Sequence, residues 1–186
     1  MNIFYLHEDP EISAQMHCDK HVVKMIIEYA QMLSTAHRML DGKLTKKPSK
    51  SGKTMIKHYD LFEGADDLEA EYAYYKAVHY NHPCNVWVRE SNKNYLYLYK
   101  MFYHLCEEYR HRYGKFHMTD NKLRSALWVF PKNIPHKPFS APPQAMPEYC
   151  KRLNAIDGYR TYYINEKKSF AKWTKRNIPD WFEDVA

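Results

Sequence analysis

The chain has 186 residues, which suits one domain or one domain with an insertion, and 45% hydrophobic content is enough to build a core. No apolar run approaches the roughly 20 residues that span a bilayer, and MNIFYLHEDPE has neither a basic leader nor an apolar signal region, so neither a membrane partner nor secretion is expected. A net charge of +6 and an aromatic content of 16%, with 17 tyrosines, favour a polyanion whose phosphates meet cations and whose bases meet rings.

Asn2 to Leu6 reads as a short extended segment. Asp9 and Pro10 read as the cap and first position of a helix that runs to Leu40, with a break near Cys18-Asp19, and stops at Asp41-Gly42. Residues 43–60, beginning KLTKKPSKSGKTMIK with six lysines, read as a basic flexible linker or loop able to touch a nucleic-acid backbone. Residues 66–80 read as helical. His82-Pro83-Cys84-Asn85 turns into a short helix ending near Arg89, and Asn92 to Tyr113 is a long helix with a core stripe of Tyr95, Leu98, Phe102, Leu105 and Tyr109, closed by Gly114. A short helix follows over Thr119–Leu127, capped by Thr119. Six prolines between 130 and 147 predict an irregular wrap. Gly158–Trp173 reads as a third amphipathic helix, and Pro179–Phe182 as a final turn that packs its rings. Almost nothing alternates with period two, so the expected class is all-α: a single compact helical domain, 1–186, built on two or three long helices.

The residues that carry chemistry form one stripe in the first helical region: His17, His21, Lys24, Glu28, Gln31, Thr35 and Arg38, spaced four, three, four, three, four, three. Val22, Ile26, Tyr29, Leu33, Ala36 and Leu40 lie opposite and predict the buried face. A solvated face would also place polar groups here, but such faces are mostly Lys and Glu. On the functional reading His17 or His21 is an acid or base, because imidazole titrates near neutrality, and Glu28 orients it or serves as a second base. Lys20, Lys24, Gln31 and Arg38 hold substrate phosphate, with His82, Arg89 and Asn94 completing the pocket from the second long helix. Arg110, Arg112, Lys115 and His117 form a further basic group, read either as phosphate contacts or as cations offsetting a helix dipole. His17 and His21 also have the i, i+4 spacing of helical metal ligands, which leaves a metal-dependent enzyme as an alternative needing a third ligand. The four cysteines, Cys18, Cys84, Cys106 and Cys150, form no C-x-x-C, so a zinc ribbon and a thioredoxin motif are excluded. No cofactor motif is present, since Gly52-Lys53-Thr54 lacks the earlier glycine and the preceding strand of a phosphate-binding loop.

HCDKHVVKM (17–25), HPCNVWVRES with Asn94-Tyr95, EEYRHRYGKFH (107–117), P-x-AMPEY (143–149) and YRTYY (159–163) resemble conserved small proteins of tailed phages and bacteria. The helix NYLYLYKMFYHLCEEYRHRYG, the His-bearing first helix and the late Pro179-Asp180-Trp181 are similar to pyrimidine dimer DNA glycosylases of the phage endonuclease V type, which are small, basic and helical. That resemblance implies DNA or a nucleotide as partner, base processing as activity, and the cytoplasm, of a host cell if phage-encoded, as location. Those enzymes use the amine of a freed N-terminal threonine as nucleophile. Here the second residue is Asn2, which normally keeps Met1 in place, and their first-helix glutamate falls at Met25, one turn from Glu28. The departures disfavour N-terminal-amine chemistry and leave a non-catalytic nucleic-acid-binding or host-takeover protein as a further alternative. Oligomeric state is left open.

Overall fold

The computed structural model describes residues 1–61 and 68–183. Asp66 and Asp67, the acidic start of the expected helix over 66–80, lie outside the described residues. Helix α1 (Pro10–Gln15) begins as the sequence predicts, with the Asp9 carboxylate accepting from the Glu11 and Ile12 amides. The chain then breaks at Met16–Cys18, and α2 (Asp19–Asp41) follows. Gly42 ends it by close approach, not by a left-handed turn: a Cβ there would stand 2.4 Å from the Arg38 carbonyl oxygen.

The lysine-rich segment is an antiparallel hairpin, β1 (Lys43–Pro48) with β2 (Met55–Asp60), in the register Lys43↔Asp60 through Pro48↔Met55. The described residues are mostly helical, as expected, with eight helices, but the segment expected as a linker or loop pairs into this two-stranded sheet, so the class is not strictly all-α. Alternation is missing from the sequence because neither face of the outer hairpin is buried, so nothing selects apolar residues at every second position. The hairpin is held instead by Asp60, which accepts from Thr45 Oγ1 and Lys47 Nζ, both at 2.7 Å.

After α3 (Leu68–Ala73) come α4 (Pro83–Glu90), with His82 as its cap, and α5 (Asn92–Tyr113), closed by Gly114 at φ +65°. The core forms where α2 packs on α5. Val22, Ile26, Tyr29, Leu33 and Ala36 meet Leu98, Phe102 and Leu105, all buried, while Leu40 and Tyr109 lie at its margin. Helix α6 (Met118–Trp128) is capped by His117, whose Nδ1 accepts from the Thr119 amide, and not by Thr119. Residues 129–147 contain no regular element and wrap the surface, tied down by Asp41, Ser91 and Asn94. A 3-10 turn (Glu148–Cys150) leads to α7 (Ala155–Lys167), which ends six residues earlier than its amphipathic pattern predicts. Trp173 lies outside it, buried, donating its indole N–H to the Met16 carbonyl at 2.9 Å. The short helix α8 (Asp180–Glu183) packs Trp181 and Phe182 onto the body, as expected.

Arg112 is buried between Glu108 at 2.7 Å, Asp19 at 2.8 Å and the Gln15 carbonyl at 3.0 Å, and Arg176 closes the same network on Glu108. It therefore ties α5 to the start of α2 and is not exposed for phosphate, which corrects one of the two readings of that basic group. Among the described residues no helix is long and apolar enough to cross a membrane.

Candidate active site at the N-terminal amine

The predicted stripe is divided by the tertiary structure into three parts with different surroundings. The first part enters the core. His17 lies in the break before α2, so the i, i+4 relation to His21 is not that of one helix face. Its Nδ1–H donates to the Ser13 carbonyl at 2.7 Å, and its Nε2 accepts from the Tyr29 hydroxyl at 3.0 Å, which itself receives the Phe4 amide. His21 stacks on Phe4 at 4.3 Å, and its Nδ1 is hydrogen-bonded to the Tyr163 hydroxyl at 2.5 Å. Burial pushes the His17 imidazole down to about 4 and the His21 imidazole to about 3, so both rings are neutral at pH 7. Both rings are thus held inside the packed core by Ser13, Tyr29, Phe4 and Tyr163. Both nitrogens of His17 are engaged, and the described residues contain no group of three metal-ligating side chains.

The last part is structural too. Arg38 is buried and donates to Glu71 at 2.9 Å and to the carbonyls of Tyr59, Glu71, Tyr74 and Tyr75. It pins the base of the hairpin to the segment after α3, so its phosphate-holding assignment is corrected. Thr35 works beside it, donating to the Gln31 carbonyl and accepting from the Val78 amide.

The middle part lies at the rim of the core, with Lys24 exposed and the Glu28 side chain only 15% exposed. Glu28 is paired with Lys24, 3.1 Å away, and its Oε2 lies 3.8 Å from the α-amino nitrogen of Met1. Lys24 itself is 67% exposed and Lys20, one turn before it, is exposed with its ammonium 4.6 Å above the Phe170 ring. Gln31, half-buried, follows on the same helix.

Met1 is placed from two sides. Asn2 donates to the Ala145 carbonyl at 2.9 Å and accepts the Tyr159 hydroxyl at 2.8 Å, which fixes the first peptide on the proline-rich wrap and α7. Asn85 of α4 donates to Met1 Sδ and to the carbonyls of Val78 and His79. His79 sits in the left-handed region at φ +47°, a conformation unfavourable for a side chain with a Cβ, so the turn beside the amine is strained. His82 caps α4 by accepting the Cys84 amide at 3.2 Å. Burial first, then the Met1 amine and His79, hold its imidazole below the ordinary range, while Glu28 pulls it the other way. Among the side chains assigned to the pocket, His82 is therefore the one from α4 or α5 that shares this field with Glu28 and the amine.

Arg89 is half-buried, with its guanidinium on the Asn85 carbonyl at 3.1 Å. Asn94 is buried and spends its whole amide on Trp87 and Ser140, where it anchors the wrap, so its assignment to the pocket is corrected.

The family profile of pyrimidine dimer DNA glycosylases matches residues 1–122. The chain belongs to this family. Membership makes the protein a DNA base-processing enzyme with DNA as substrate, and the matched segment includes Met1, Lys24, Glu28 and His82. The pyrimidine dimer DNA glycosylase profile stops before Ala145 and Tyr159, so in this chain the residues that fix Asn2 come from outside it. Searches among curated proteins and among solved structures found no match. The contacts of Asn2 and Asn85 around Met1 have no signal in the sequence, because a lone asparagine carries no spacing.

Proposed function

We propose that this protein excises damaged pyrimidines from DNA, with the α-amino group of Met1 as nucleophile and Glu28 as the carboxylate that takes its proton. The observation that carries the reading is the placement of that amine 3.8 Å from Glu28, beside His82 and an exposed lysine. The amine lone pair attacks C1′ of the damaged nucleotide, and the glycosidic C–N bond breaks with its electron pair leaving on the base. The amine proton passes to Glu28, which returns it to O4′ as the C1′–O4′ bond breaks, so that the sugar ring opens to a protonated imine between Met1 and C1′ while the departing base takes a proton from water. Lys24 and Lys20, one turn apart on α2 and both exposed, serve as phosphate contacts. The hairpin adds Lys46 and Lys57, directly paired across the strands and unfavourable there unless an anion such as the DNA backbone lies against them.

Borohydride trapping on a duplex carrying a cyclobutane thymine dimer tests the assignment, because the reductant converts the imine to a stable secondary amine. The expected result is a covalent complex that maps to Met1 by peptide mass, with Glu28→Gln reducing its formation by roughly 100-fold or more. Intact mass confirms the Met1 terminus in the same sample. DNA binding with no trapped complex, or trapping on a lysine, refutes the nucleophile.

A further inference from the structure

The loop before α7 presents an apolar side chain to solvent in a rigid frame. Leu153 has a relative exposure of 109%, and Lys151, Arg152 and Asn154 around it are also exposed. Exposed leucines are common on protein surfaces, but this one is not on a loose loop. The Gln144 side chain clamps the backbone of Arg152 from both ends, accepting from its amide at 3.0 Å and donating to its carbonyl at 2.6 Å. Gly158 makes room for that clamp, since a Cβ there would lie 2.0 Å from Gln144 Oε1. The Arg152 guanidinium folds onto the carbonyls of Tyr149 and Lys151. Asn154 caps α7 through the Ile156 amide at 2.8 Å, so the residue after Leu153 is fixed as well.

This frame adjoins the N-terminal amine. Gln144 is followed by Ala145, whose carbonyl holds Asn2, and Tyr159, one turn into α7, holds the same side chain. A base inside a duplex cannot reach a nucleophile until it leaves the stack, and an apolar side chain entering the stack stabilises the opened state. We infer that Leu153 is a wedge that enters the DNA base stack beside the damaged site. The inference rests on DNA base excision as the proposed function, and it assigns a role to a residue outside the segment matched by the family.

The test is a duplex carrying a thymine dimer with 2-aminopurine as the neighbouring base, whose fluorescence rises when it unstacks. Fluorescence is read by stopped flow at saturating protein within the first turnover, with anisotropy of an end-labelled duplex followed in parallel. The wild type is expected to raise the fluorescence. Leu153→Ala should bind, as anisotropy shows, yet lose most of the rise, and Leu153→Phe should restore it. A full rise with Leu153→Ala at saturation overturns the wedge, as does a wild type that binds without unstacking. Because the readout is stacking and not excision, a protein that unstacks the duplex but traps no imine counts against the catalytic assignment and leaves the wedge standing.

Discussion

Three buried imidazoles make stability fall with acid in a window that carboxylates do not occupy. His17 and His37 are held at about 4 and His21 at about 3, in each case chiefly because burial penalises the charged ring. In the unfolded chain each returns to about 6.5. Lowered values mean that the folded state binds fewer protons than the unfolded one, so the stabilisation is complete above about pH 6.5 and is lost as pH falls towards 4. At pH 5 an unfolded histidine is almost fully protonated while the folded ring is still neutral, which amounts to about 2 kcal/mol for each ring and about 6 kcal/mol for the three. A whole domain holds about 5–15 kcal/mol. The partly buried His82 and His117 are lowered as well and add in the same direction. Asp19 and Glu108 are lowered from already acidic values, so their contributions disappear only further into acid. Urea unfolding at steps from pH 8 to pH 5 measures the effect, with fluorescence of the buried Trp87 and Trp173 as signal. The midpoint should drop steadily below pH 7, and His37→Gln, which keeps an N–H for the Tyr95 hydroxyl, should flatten the slope by about a third. A midpoint that stays constant from pH 7.5 to 5 refutes the burial argument.

The remaining predictions separate the three parts of the original stripe and the hairpin. Arg38→Ala should cost about 3–5 kcal/mol, because it strands Glu71 and four carbonyls on a buried surface, whereas a residue held out for phosphate would cost little; thermal unfolding decides. Glu28→Gln keeps the side-chain volume but leaves the largely covered Met1 amine without its carboxylate, so it should cost about 1–3 kcal/mol, less than Arg38→Ala, while single-turnover excision by the folded protein collapses. Replacing Lys46 and Lys57 together by Ala should reduce the slope of log affinity against log salt by roughly 1.8, two contacts at about 0.9 each, without loss of melting temperature. An unchanged slope places the hairpin off the DNA.

Local chemistry was readable in the sequence wherever a residue acts on its immediate neighbours. Asp9-Pro10, His82-Pro83 and Gly114 set helix ends because caps and left-handed turns involve only atoms a few residues away. The stripe Val22–Ile26–Leu33 named the buried face of α2 because burial repeats with the helix. What the sequence left open was which polar residues on the same helix would meet a partner. His17, His21, Glu28 and Arg38 share one spacing, yet Tyr29 and Tyr163 take the first two, Met1 takes the third, and Glu71 takes the last. Those partners stand between 12 and 142 residues away in the chain, and no periodicity encodes them. The amine, Asn2 and the Gln144 clamp come together only when α7 and the proline-rich wrap close over the first strand-like segment, so the candidate site is a property of the tertiary structure and not of any stretch of sequence.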